Sequence, residues 1–121
     1  MTAVNLKEKL AAFKDLWHPH QIAAIEDMQV LLAKIKGEFV WHKHEEEDEL
    51  FFVLNGTLQM QFRDRTEIVR EGELIVVPKG VEHCPATQDG EEVHLLLFEK
   101  KSTKHTGNVL HEKTKSHYPS I

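Results

Sequence analysis

The sequence predicts an all-β fold, a closed or rolled antiparallel barrel behind one short helix, on three observations. From Gln21 onward the chain is a series of short apolar or alternating runs: QIAAIE, QVLLAKIK, EFVWH, ELFFVL, TLQMQF, EIV, ELIVV and VHLLLFE. Turn residues punctuate them, most clearly Asn55-Gly56, Asp64-Arg65 and Asp89-Gly90. No long helical pattern lies between the runs to serve as a crossover, which favours an antiparallel sandwich or barrel over a parallel α/β sheet. Rolling or closing the sheet also hides its edges.

In chain order, NLKEKLAAFKDL (residues 5–16) puts Leu6, Leu10, Phe13 and Leu16 at helical spacing behind Asn5, a residue suited to an N-cap. This predicts a short amphipathic helix packed on the outside of the barrel. The runs that follow are strands by their alternation and β-branched content. Asn55-Gly56 predicts a two-residue hairpin, since both turn positions need positive φ. The stretch from Lys101 to Ile121 is polar and aperiodic and reads as an arm or tail, which Val109, Leu110, Tyr118 and Ile121 could anchor on this subunit or a partner. The expected boundaries are a helix and lead-in over 1–20, a barrel over 21–100 and the arm over 101–121.

Bulk properties narrow the function. A chain of 121 residues fits one domain with one core. Its net charge of −5, with no clustered basic face, argues against nucleic acid as a partner. No apolar run approaches the ~20 residues of a membrane-spanning helix, and the charged first segment is no signal peptide. The one cysteine, Cys84, cannot form an internal disulfide. The expectation is a cytoplasmic protein that contacts neither membrane nor nucleic acid.

The chemistry sits in two blocks, His42-x-His44-x4-Glu49-x6-Gly56 and Gly72-x5-Pro78-x-Gly80-x2-His83. An HxH pair means little in a chain with nine histidines, so the weight lies in the ordered glycines, proline and glutamate around it. On an extended chain His42 and His44 share a face about 6.5 Å apart, close enough for both rings to reach one ion, while Lys43 points away. After the acidic turn Glu45–Asp48, Glu49 opens the next strand with Phe51 and Val53 on its face and can return a carboxylate to that ion. Pro78 and Gly80 bend the chain so that His83 supplies a fourth ligand.

These two blocks resemble the paired motifs of the cupin superfamily, G-x5-H-x-H-x3-4-E-x6-G and G-x5-P-x-G-x2-H-x3-N, over about residues 37 to 87. Two positions depart from the pattern: Gly37 opens the first motif one residue late, and Thr87 stands where asparagine is usual. The resemblance implies a cupin-type conical β-barrel or jelly roll (double-stranded β-helix), homodimeric, holding one divalent transition metal on His42, His44, Glu49 and His83. It leaves iron, manganese, nickel, copper and zinc open.

Other residues compete for attention. Asp48 adjoins Glu49 and could take its place. Cys84 follows His83 and is expected in the core rather than at the ion. His18-Pro19-His20 is a second HxH, but with proline between the two and no matching glutamate or distant histidine it reads as a loop. His94 could face the interior and touch a ligand. Of Phe39, Trp41, Phe51, Met60 and Phe62, some line the cavity and most belong to the core; their apolar character suggests a small ligand rather than a polyphosphate. Four protein ligands leave an ion with open positions. The expected function is therefore a metal-dependent oxygenase, or an isomerase or lyase, acting on a small metabolite. The alternative is a non-catalytic module that binds or senses a small molecule.

Overall fold

The computed structural model describes residues 1–103, 107 and 118–121. Helix α1 covers Leu6–Ala11, and the Asn5 side chain caps it by accepting a hydrogen bond from the Glu8 amide at 2.9 Å. It is shorter than the spacing predicts. Ala12 closes it, none of its residues is buried, and Phe13 just beyond turns into the protein instead. A helix with no buried face gains little by continuing, because its stability in a protein comes mainly from packing.

Eight strands follow: β1 His20–Ile25, β2 Met28–Lys36, β3 Glu49–Asn55, β4 Leu58–Phe62, β5 Thr66–Val69, β6 Leu74–Val77, β7 His83–Thr87 and β8 Glu92–Lys100. They form two sheets with only antiparallel pairings, ordered β1-β2-β8-β3-β6 and β5-β4-β7. The inward faces meet in one core, where Leu31, Val53, Leu58, Met60 and Val93 are fully enclosed. Alternation sets this up: β8 buries Val93, Leu95 and Leu97 and leaves the residues between them at the surface side.

Two sequence expectations change, and one strand appears that the sequence did not announce. Asn55-Gly56 does not close a hairpin, because β3 and β4 lie in different sheets; it is a corner between sheets that still needs the positive φ of Gly56, +89°. The run EFVWH is no full strand. It is an edge segment held to β7 by bridges at Glu38–Ala86 and His42–His83, with one extra residue on its own side between the two bridges. Its partner β7, with the sequence HCPAT, has no apolar pattern and carries Pro85, so it is invisible as a strand in the sequence. Pro85 is tolerated because its carbonyl accepts from the Phe39 amide, at 2.9 Å, and no donor is asked of it on that side.

The chain end returns to the barrel. Gln21 donates to the Pro119 carbonyl at 2.8 Å and accepts from the Ile121 amide at 3.0 Å, adding a short parallel contact to the edge of β1, and Tyr118 packs against the core. Val109 and Leu110 lie outside the described residues. No helix among the described residues is long and apolar enough to cross a membrane.

Candidate metal centre

His42 and His83 face each other across the edge segment and β7 and exchange both backbone hydrogen bonds, His42 N–H to His83 C=O at 3.0 Å and the reverse at 2.9 Å. The two sequence blocks are thus joined at their ligands. The Gly80 amide donates to the His44 carbonyl at 2.7 Å, which pins the Pro78–Gly80 bend against the first block. Asp48 is exposed and serves this bend as well: its Oδ1 accepts from the Lys79 amide at 2.9 Å. That places Asp48 in a turn and leaves Glu49 as the carboxylate that faces the histidines, on the strand face it shares with Phe51 and Val53. The two departures from the motif meet each other, the Thr87 hydroxyl accepting from the Gly37 amide at 2.7 Å and the Thr87 amide donating to the Gly37 carbonyl at 2.9 Å.

All four expected ligands come together. One donor atom from each of His42, His44, Glu49 and His83 lies within 4.8 Å of the others, and all four side chains are buried. In His42, Nδ1 is 2.8 Å from the Val40 carbonyl, and in His83, Nδ1 is 2.9 Å from the Val81 carbonyl. A carbonyl only accepts, so Nδ1 carries the proton in both rings and Nε2 turns its lone pair inward. Nε2 of all three histidines and Oε1 of Glu49 are buried without a hydrogen bond among the described residues. His44 Nε2 and His83 Nε2 come within 3.2 and 3.8 Å of Glu49 Oε1, ion-pair contacts that do not meet hydrogen-bond geometry. Orphaned buried acceptors are costly unless something satisfies them. Three imidazoles and a carboxylate suit a divalent transition metal and disfavour calcium or magnesium, so the residues fit such an ion.

The electrostatics agree. Burial, reinforced by the neighbouring His83, pushes the His42 imidazole down to about 4, which keeps it neutral as a ligand must be. Burial alone raises the Glu49 carboxyl, but His44 and His83 outweigh it and hold it well below the usual carboxylate range.

Three residues at the site escape the sequence reading. Glu99 is fully buried beside Glu49, where the β3–β8 register, Leu50 opposite Phe98, continues by one residue. Burial, then the Glu49 charge, pushes its carboxyl well above the ordinary range. The signal was a charge at an inward position of the alternation Val93, Leu95, Leu97. Trp17 closes the other side: its ring stacks on Phe39 at 4.6 Å and 10°, and its Nε1 donates to the Lys36 carbonyl at 3.0 Å. Trp17 is one wall of a cavity of about 40 Å³ lined also by Phe39, Phe51, Leu97, His42 and Glu49. Gly107 abuts His42 and the Lys43 carbonyl so closely that no side chain would fit there.

The remaining candidates fall away. Cys84 is fully enclosed and outside the ligand group, as expected. His94 points to the surface side of β8 and pairs with Glu92 at 2.8 Å, so it does not line the cavity. Trp41 carries the Arg63 guanidinium at 4.0 Å, while Met60 is core.

A cupin fold with a buried His/Glu cluster is what these observations define, and comparison with known proteins agrees. Residues 28–99 match the family profile of the cupin domain, and the chain belongs to that family. It is similar to a cupin-2 domain containing protein from Shewanella frigidimarina, with a TM-score of 0.79 and 43% identity over 81% of this chain and 94% of that one. Protein NMB1881 from Neisseria meningitidis is similar at a TM-score of 0.73 and 36% identity, over 82% and 99% of the two chains. The uncharacterized protein YdbB of Bacillus subtilis is 38% identical over 82 residues; the match spans 67% of this chain and 66% of that protein.

Proposed function

We propose that the chain holds one divalent transition-metal ion on His42, His44, Glu49 and His83 and is a metal-dependent enzyme acting on a small metabolite, an oxygenase when the ion is iron and otherwise an isomerase or lyase. The observation that carries this is the convergence of four buried side chains whose inward donor atoms make no hydrogen bond among the described residues, two of them, His42 and Glu49, on the wall of an apolar cavity. When bound, the ion supplies a Lewis acid with open positions. The Val40 and Val81 carbonyls hold the His42 and His83 rings in the ligating tautomer. Trp17, Phe39 and Phe51 exclude water, which strengthens every charge interaction inside. Glu99, whose carboxyl burial and then the Glu49 charge push well above the ordinary range, lies beside Glu49 at the edge of the site. A homodimer belongs to this reading, supported by Ile68, Leu74 and Val76 exposed on β5 and β6.

The test is to load the protein with iron(II) without air, add candidate metabolites and follow oxygen uptake, with product analysis of the zinc, nickel and manganese forms. Turnover lost in His42→Ala supports the enzyme. Tight binding without turnover across a broad panel overturns it in favour of a small-molecule sensor.

A further inference from the structure

The second HxH of the chain, His18-Pro19-His20, sits in the lead-in between α1 and β1, and the fold brings it the carboxylate that its sequence pattern lacks. Asp15 Oδ2 lies 2.6 Å from His18 Nδ1, and Asp15 Oδ1 lies 3.1 Å from His20 Nε2. Each imidazole thus takes its own oxygen of one carboxylate, and the three residues each offer a donor atom within 4.8 Å of the others. We propose that Asp15, His18 and His20 form a second divalent-metal site, of the zinc, nickel or copper type, on the outer side of the barrel.

Local structure explains the convergence. The residue before a proline is driven to extended backbone, so His18 and His20 fall on one side of the chain, their ring centroids 5.0 Å apart at 34°. His20 is the rigid member: it opens β1, is buried to 7% exposure, and lies against the Phe13 ring at 4.1 Å. His18 and Asp15 keep 27% and 45% of their side chains exposed, which leaves the donors reachable from solvent. Two imidazoles and one carboxylate, with water in the fourth position, make the tetrahedral donor set that zinc accepts.

The site has a consequence at the cavity. Its ligands flank Trp17, whose backbone is held at a φ of +58° while its indole covers the cavity beside His42 and Glu49. An ion bound to Asp15, His18 and His20 staples the residues on both sides of that cover.

Equilibrium dialysis of the full chain against zinc at neutral pH, counted by elemental analysis, tests the proposal without relying on the central site. Relative to wild type, Asp15→Asn and His18→Ala each lose one equivalent of zinc, His83→Ala also loses one, and the His18→Ala/His83→Ala chain loses two. Circular dichroism checks that each variant keeps its β signal; the exposure of Asp15 and His18 makes these folded variants. If Asp15→Asn and His18→Ala retain the wild-type count, the outer site is overturned whatever happens at His83. If only His83→Ala keeps the wild-type count, the central reading fails and the outer one stands.

Discussion

Replacing His83 by alanine removes one of four converging donors and offers a quantitative test of the central site. Nε2 of His42, His44 and His83 and Oε1 of Glu49 are buried without hydrogen bonds among the described residues. Each such group costs about 1–3 kcal/mol when left unsatisfied, a deficit that an ion removes. At a free ion concentration 100 times the dissociation constant, binding adds about 2.7 kcal/mol to folding stability. For a chain of 121 residues, with an unfolding entropy of roughly 2.1 cal/mol/K per residue, that raises Tm by about 10 °C. The assay is thermal unfolding followed by circular dichroism, in zinc buffered at that concentration and again in chelator. A His18→Ala background silences the outer cluster. The parent should show the full rise and the His83→Ala chain less than a quarter of it. The comparison within each chain matters, because truncating a fully enclosed histidine also lowers stability without any ion. An equal rise in both chains would refute the reasoning.

Two further outcomes are expected. Gly56→Ala should destabilise the protein by about 2 kcal/mol or more in urea unfolding, because Gly56 has a φ of +89° and a Cβ there would meet Glu91 Oε1 at 2.7 Å and Val93 Cγ2 at 2.9 Å. Gly72→Ala, at a φ of +83° with open space around it, should cost only the backbone share, about 1 kcal/mol; equal losses would contradict the steric part of this account. The ion-free protein should also depend on His42 in acid. The folded value of this imidazole is depressed from 6.5 to about 4, so its contribution is present above pH 6.5 and is lost as pH falls through 4. That amounts to about 3 kcal/mol of extra loss in wild type relative to His42→Asn over this window, whereas the raised Glu99 carboxyl acts with the opposite sign in both chains alike. Parallel stability curves for the two chains would count against it.

The clustering of His42, His44, Glu49 and His83 was legible because it is written as spacing. His42 and His44 need only extended backbone to share a face, and Pro78-x-Gly80 announces the bend that returns His83. Asp48 and Glu49 competed for the carboxylate position in sequence; in the fold Asp48 accepts from the Lys79 amide in a turn, and Glu49 is the one that joins the histidine cluster. What escaped reading depends on contacts between distant segments. Strand β7 has no pattern of its own and exists because β4 lies on one side and the Glu38–His42 segment on the other. Asn55-Gly56 advertises positive φ but not whether the next strand pairs back or crosses to another sheet. Asp15 gave no sign of serving His18 and His20, since that cluster forms only where the chain leaves α1 and enters β1. Glu99 left a trace, a charge in an inward position, whose partner only the β3–β8 register reveals.

The paired backbone hydrogen bonds between His42 and His83 bear on how fast the centre can trade its ion. A ligand carried on a free loop can swing aside and let a metal leave in one motion. Here the edge segment that carries His42 and the strand that carries His83 anchor each other, so parting these two histidines means breaking that pairing. An ion held by this cluster is then expected to leave one side chain at a time, and to be released slowly even when it is bound only moderately tightly.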